Sequence, residues 1–188
     1  MSNIVAIAGS PSHLSRSNIL VEYASSLLNS RGFHTDVISV RHFPAEDLIF
    51  GRSNNDIFEQ SKELIEQASG IIIATQIYKS SYTGLLKPFL DLLPQNALLG
   101  KYILPLVTGG TIAHLLAIDH ALEPILTELD ERLILDGIYV VDKQVRRCLD
   151  GSIHLDKEIH QKLKNSLNDF IESVKHSQAT TKELATAC

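Results

Sequence analysis

Ile4-Val5-Ala6-Ile7-Ala8-Gly9-Ser10-Pro11-Ser12-His13-Leu14-Ser15-Arg16-Ser17-Asn18 reads as a short buried strand, a serine-rich turn and the opening of a helix. The unalternated, β-branched run Ile4 to Ala8 suits a strand covered on both faces. Gly9 lets the chain bend, Ser10, Ser15 and Ser17 offer hydroxyl donors, and Arg16 adds a fixed positive charge. A helix that follows points its free N–H groups back at such a turn, so a phosphomonoester fits there. Neither the G-x-x-x-x-G-K-[ST] of nucleoside triphosphatases nor the G-x-G-x-x-G of dinucleotide folds is present, which directs attention to a different phosphate ligand. The same residues also read as a polar loop whose serine caps a helix.

Working outward, runs of the same buried type recur at Val37 to Val40, Ile71 to Thr75, Tyr102 to Val107 and Leu133 to Val141. Between them lie helical spacings: Ile19, Leu20, Tyr23, Ala24, Leu27 and Leu28; then Ile57, Phe58, Leu64 and Ile65; then Leu85, Leu86, Phe89, Leu90 and Leu93. Gly32, Gly70 and Pro94 close these three, and Ile112 to Leu129 and Lys157 to Val174 supply two more. Strict alternation requires crossover connections, hence a mostly parallel five-stranded sheet with helices on both faces, a doubly wound α/β fold. Residues 1–176 read as one domain and 177–188 as a polar, disordered tail.

Composition narrows the partners. A net charge of −5 without a basic, aromatic-interleaved cluster excludes the footprint of a nucleic-acid binder. The first apolar run is too short for a membrane span and lacks the basic start of a signal peptide, which points to a cytoplasmic protein with no membrane partner. Cys148 and Cys188 form neither a disulfide framework nor a C-x-x-C pair, and the histidines, His154 and His160 included, lack a metal-ligand spacing. His34 and His42 read as surface residues.

In a doubly wound sheet, ligands bind beyond the carboxyl ends of the strands where the winding reverses. Three loops stand there: the serine-rich turn, Gln76-Ile77-Tyr78-Lys79-Ser80-Ser81-Tyr82-Thr83-Gly84, and Thr108-Gly109-Gly110-Thr111. A phosphate at the first and a planar heterocycle between Tyr78, Lys79 and the paired glycines describe a mononucleotide whose ring is the working part, and flavin mononucleotide (FMN) fits. Taken singly, Tyr78 also reads as a packed aromatic, and Gly109 with Gly110 as a tight turn.

These residues carry a resemblance. Ala8-Gly9-Ser10-Pro11 with Ser15-Arg16-Ser17, Pro44 to Leu48, Ile77-Tyr78-Lys79, Leu85-Leu86-Lys87 with Leu90 to Pro94, and above all Thr108 to Ala117 resemble the NAD(P)H-dependent FMN reductases of flavodoxin-like fold. The likeness is strongest to the reductase component of two-component alkanesulfonate monooxygenase systems. It implies strand order 2-1-3-4-5, FMN phosphate at Ser10, Ser15, Arg16 and Ser17, and the flavin ring at Ile77, Tyr78, Lys79, Thr108, Gly109, Gly110 and His114. It further implies hydride transfer from NADPH or NADH to flavin N5, with no protein nucleophile, and delivery of reduced flavin to a flavin-dependent monooxygenase. Gly109 and Gly110 would support charge on reduced flavin through their backbone, with Lys79 and Arg16 as charge partners.

Three positions depart from that pattern. Ser12 stands where close relatives carry a basic residue, and Gln76 replaces a proline, removing a backbone restraint from the loop. His120 stands where the alkanesulfonate reductase carries a tyrosine at a bulge in a tetramer interface, and resembles the methanesulfonate-type branch instead. Pro124, inside the helical pattern, is expected to kink or bulge the helix near His120. The wide apolar surface of Leu85, Leu86, Phe89, Leu92 and Leu93 predicts a homodimer or homotetramer with His120, Leu86, Phe89 and Leu93 at the interface. Two other functions suit the same fold: a flavoenzyme that keeps FMN bound and reduces quinones, azo dyes or metal ions, and a flavodoxin-like electron carrier.

Overall fold

The computed structural model describes residues 3–130 and 133–186, with side chains described as far as residue 177. In chain order the elements are β1 (Asn3–Ala8), α1 (Arg16–Ser30), β2 (His34–Ser39), α2 (Ala45–Ile49), α3 (Asp56–Gln67), β3 (Gly70–Gln76), α4 (Leu86–Leu92), β4 (Tyr102–Gly109), α5 (Glu123–Glu128), β5 (Ile138–Val141), β6 (Val145–Arg147), β7 (Ile153–Leu155) and α6 (Lys157–Thr186). The side chains of the tail expected from Ser177 onward lie outside the described residues, apart from Ser177 itself.

β1 to β5 form one parallel sheet in the order β2-β1-β3-β4-β5. Because successive strand residues point to opposite faces, the buried runs divide between two cores. Val5, Ile7, Ile71, Ile73, Ile103 and Val107 face Phe58, Ile65, Leu86, Phe89 and Leu126. Ile4, Ala6, Ile72, Ala74, Leu104 and Leu106 face Leu20, Ala24, Leu28, Leu163, Leu167 and Phe170. This is the doubly wound, flavodoxin-like arrangement. The sequence order reverses between β1 and β3, so the crevice lies beyond their carboxyl ends, where the Gly9 N–H donates to the Ala74 carbonyl at 2.8 Å.

Four expectations need correction. The fifth strand does not run unbroken from Leu133 to Val141: Ile134 makes an isolated bridge to Ile103, and regular pairing resumes only at Ile138 with Leu106. Pro105 of β4 has no N–H to continue the ladder, and the register slips by one residue across Asp136-Gly137, a bulge. Nor is 112–129 a single helix. It divides into a 3₁₀ turn (Ile112–His114), a π-helical turn (Ile118–Leu122) and α5. The Glu123 N–H reaches five residues back to the Ile118 carbonyl, just before Pro124, whose ring nitrogen carries no hydrogen, so the expected bulge at His120 is a π turn.

Gly70 does not close α3, which is capped at Ala68. It opens β3, where a side chain would meet Phe170 Cζ at 2.6 Å. Finally, Leu86, Phe89 and Leu93 are buried inside the chain's own core, leaving them no surface to offer a second copy. The apolar face of α4 is wide because it packs on the sheet while Phe89 also meets Phe43 and Phe58 edge to face, at 5.2 and 6.1 Å between ring centres.

The short β6–β7 hairpin and helix α2 were not anticipated. Three-residue strands carry too little periodicity to register, and this hairpin stands because Val145 is buried, with Ile153 and Leu155 packed against the same core.

Candidate active site

The serine-rich turn is built by the start of α1. Ser15 is the N-cap: its Oγ accepts from the Asn18 N–H at 3.1 Å and shares a hydrogen bond of 3.1 Å with Ser17 Oγ. The helix-cap reading holds, and the capping serine belongs to the same turn whose hydroxyls read as phosphate donors. Asn18 turns back to hold the preceding loop, its Nδ2 donating to the carbonyls of Ser12 and His13 at 3.2 Å each. Ser10, Ser15 and Ser17 are all buried while Arg16 is exposed, so three hydroxyls line the floor of the turn and one guanidinium stands at its rim.

Gly9 is needed for close approach more than for bending. A Cβ there would lie 2.9 Å from Leu86 Cβ, because the start of α4 packs directly on the turn. Thr83 fixes that contact: its buried hydroxyl donates to the Gly9 carbonyl and accepts from the Leu86 N–H at 3.2 Å, while its own N–H donates to Thr75 Oγ1 at 3.2 Å. Sequence reasoning passed over Thr83. A fully buried threonine within a polar loop leaves no trace in periodicity.

In the second loop Ile77 is buried and donates its N–H to the Thr108 carbonyl at 2.8 Å, which joins the second loop to the third. Tyr78 and Ser81 exchange backbone hydrogen bonds of 2.8 and 3.2 Å across a two-residue turn in which Lys79 and Ser80 both take left-handed backbone angles, φ of 52° and 64°. Tyr78, half exposed, stands out beside it. Gln76 supplies by its side chain the restraint that a proline would give by its ring: Oε1 accepts from Tyr78 Oη at 2.7 Å and from Ser10 Oγ at 3.1 Å. One amide oxygen thus ties the serine-rich turn to the Tyr78 loop.

The third loop rests on Tyr139. Its hydroxyl donates to the Thr111 carbonyl at 2.7 Å, and burial, with Asp142 nearby, pushes its pKa above the ordinary value, which keeps the proton in place for that bond. Gly109 has to be glycine here, since an added Cβ would fall 2.0 Å from Tyr139 Oη. Gly110 has open space around it and is exposed. Thr111 caps the 3₁₀ turn through its Oγ1, placing the half-buried His114 at the outer end of the loop.

The structure therefore gathers Ser10, Ser15, Arg16, Ser17, Ile77, Tyr78, Lys79, Thr108, Gly109, Gly110 and His114 on the three loops at one edge of the sheet. The donor set fits a flavin mononucleotide. Buried hydroxyls and helix N–H groups suit its phosphate, and Thr108 Oγ1 is buried with no hydrogen-bond partner among the described residues, a polar atom waiting for one. His120, on the π turn, is exposed and stands apart from this set. Among the described residues no group of three His, Cys, Asp or Glu side chains comes together to hold a metal, and no helix is long and apolar enough to cross a membrane.

Comparison with known proteins agrees with this geometry. The family model for NADPH-dependent FMN reductases matches residues 2–146. An FMN reductase (NADPH) of Pseudomonas putida is 42% identical over 89% of this chain and 85% of its own length. One of Escherichia coli is 45% identical over 76% of this chain and 74% of its own. Among solved structures, an NADH:FMN oxidoreductase in its apo form superposes with a TM-score of 0.83 at 38% identity, covering 92% of this chain and 90% of that one. The matched span takes in the serine-rich turn, the Tyr78 loop and the Gly109-Gly110 loop, and the chain belongs to the family of NADPH-dependent FMN reductases, flavin oxidoreductases built on the flavodoxin-like fold.

Proposed function

We propose that this FMN reductase binds flavin as a diffusible substrate, reduces it with NADPH or NADH, and passes reduced FMN to a flavin-dependent monooxygenase acting on sulfonates. Ser10, Ser15, Ser17 and Arg16 hold the phosphate. Ile77, Tyr78, Lys79, Thr108, Gly109, Gly110 and His114 line the ring. Bound FMN supplies the hydride-accepting chemistry, so the protein's own tasks are to bind, to align two rings and to exclude water between them. The observation that carries the reading is the joining of three loops, through Gln76, Thr83 and the Ile77–Thr108 hydrogen bond, into one site with buried phosphate donors and an open ring edge. Release is supported by that openness: Tyr78 is 49% exposed, and Arg16, Gly110 and Thr111 are exposed as well. The sulfonate partner rests on the likeness through Thr108 to Ala117.

The deciding experiment is NAD(P)H oxidation by flavin-stripped protein, with and without added FMN. Activity strictly dependent on added FMN, from protein that leaves gel filtration colourless, is the expected result. A yellow protein that turns over only with quinones would replace the proposal with the bound-flavin reading, and absence of any NAD(P)H oxidation would leave an electron carrier.

Arg16→Ala should raise the Kd for FMN about tenfold, the loss of one charge-assisted contact at an exposed rim, with little change in turnover at saturating flavin. An unchanged flavin titration would remove Arg16 from the site. A homo-oligomer is also part of this reading. Since α4 is committed to the core, a surface available for it is the exposed trio Ile112, Leu115 and Leu116 beside the π turn and His120. Light scattering at micromolar concentration should give a dimer or tetramer, and a monomer would count against it.

A further inference from the structure

Beside the serine-rich turn lies a second feature, which shares only Arg16 with the proposed FMN site. His13, Leu14, Arg16, Asn18, Ile19, Glu22, Arg146 and Arg147 enclose a cleft of about 440 Å³ between the first turns of α1 and the β6–β7 hairpin. It holds three arginines against the single carboxylate of Glu22, in a chain whose net charge is −5. Arg147 is held in place, paired with Glu22 across the cleft and donating to the Gly151 carbonyl at 3.0 Å. Arg146 pairs in register with His154 on β7 and, like Arg16, has no ion pair or side-chain hydrogen bond among the described residues. A hairpin of two three-residue strands has little stability of its own. This one is pinned by Val145 in the core, with Arg146 and Arg147 exposed beside the helix that starts at the phosphate turn.

Besides Arg16, which the FMN phosphate uses, the cleft offers Arg146, without a charge partner among the described residues, and Arg147, already oriented by Glu22, a pair suited to an anion such as a phosphate. In the proposed function the FMN phosphate is provided for by Ser10, Ser15, Arg16 and Ser17, which leaves Arg146 and Arg147. The cleft therefore addresses a further phosphate, while Leu14, 78% exposed, offers apolar surface to a base beside it. We propose that this cleft is a second phosphate site, occupied by the phosphate that distinguishes NADPH from NADH or by the second phosphate of a dinucleotide flavin. The inference rests on the FMN reductase reading for the location of the first phosphate.

The test is binding, independent of turnover. With FMN present in excess, 2′,5′-ADP and 5′-AMP are titrated into the protein by calorimetry; separately, FAD and FMN are titrated by flavin fluorescence. Each is repeated with Arg146→Ala, an exposed position whose loss should leave the fold intact, and with Arg146→Lys, which keeps the charge. If the source is the coenzyme, 2′,5′-ADP binds about tenfold tighter than 5′-AMP, Arg146→Ala abolishes the difference and Arg146→Lys keeps part of it. If the source is the flavin, the same pattern appears in the ratio of FAD to FMN. Equal binding within both pairs, or ratios that Arg146→Ala leaves unchanged, overturns the site. Failure of the wild type to bind FMN would instead strike at the proposed function, and the calorimetric pair would still read the cleft.

Discussion

Gly109→Ala should cost about 2–4 kcal/mol of stability and weaken flavin binding more than tenfold. The new methyl group would sit 2.0 Å from Tyr139 Oη and 3.0 Å from Cζ, so the ring must move. Overpacking of a filled site costs about 1–3 kcal/mol, and Tyr139 moves off the Thr111 carbonyl, forfeiting a hydrogen bond of about 1 kcal/mol. Thermal unfolding should show a drop of roughly 5–12 °C for a domain of this size. The flavin effect follows by another route, because Thr111 caps the turn that leads to His114. Adding Tyr139→Phe to Gly109→Ala removes the most severe overlap and should recover part of the stability, yet not the flavin affinity, since Thr111 still lacks its donor. A Gly109→Ala protein that melts and titrates like the wild type would show that Tyr139 does not lie across this glycine.

Thr83→Val is the second large effect. Valine keeps the shape and deletes the hydroxyl, leaving the Gly9 carbonyl without its donor at a buried position. The Leu86 N–H keeps its bond to the Thr83 carbonyl at 3.1 Å, so one orphaned group is the cost, about 1–3 kcal/mol. The more informative readout is FMN affinity. Thr83 couples the phosphate turn to the start of α4, and a valine there should raise the Kd for FMN severalfold, whereas Thr83→Ser, which restores the donor, should return close to wild type. Equal affinity in valine and serine variants would mean that the turn holds its shape without this bond.

The fold was legible because β1, β3 and β4 are buried on both faces and so read as unbroken apolar runs, and because Gly32 and Pro94 end their helices as sequence rules expect. β2, at the sheet edge, runs His34–Ser39 with only Ile38 buried, so the apolar run at Val37 to Val40 marked only its end. Gly32 takes a φ of 82° just past α1, the geometry that favours glycine. Where the reading failed, a backbone hydrogen bond was missing rather than a side chain. Pro105 interrupts the pairing of the fifth strand and Pro124 divides the last helical pattern, and the second break was half foreseen because proline in a helix is a stronger signal than proline beside a neighbouring strand. The error over Leu86, Phe89 and Leu93 had a different source. Width of an apolar stripe does not say whether sheet or partner covers it, and here α4 packs on the sheet and on two other phenylalanines.

Within the site, the loops were legible and their joints were not. Serines before a helix, a tyrosine-lysine pair and paired glycines announce themselves by type and position. Gln76, Thr83 and Tyr139 act through hydrogen bonds to residues distant in sequence, of which Thr83 to Gly9 is the longest reach, and no local pattern encodes such a partner.

The turn at Lys79 and Ser80 has a bearing on how this chain can change. Two successive L-residues in the left-handed region each carry a penalty of roughly 1–2 kcal/mol that glycine would not. Under selection for stability alone both positions would drift toward glycine, and the turn would keep its path while losing its stiffness. A lineage that keeps side chains at both is therefore under a second constraint, the fixed presentation of Tyr78, and mutational drift at 79 and 80 becomes a gauge of how long that constraint has been in force.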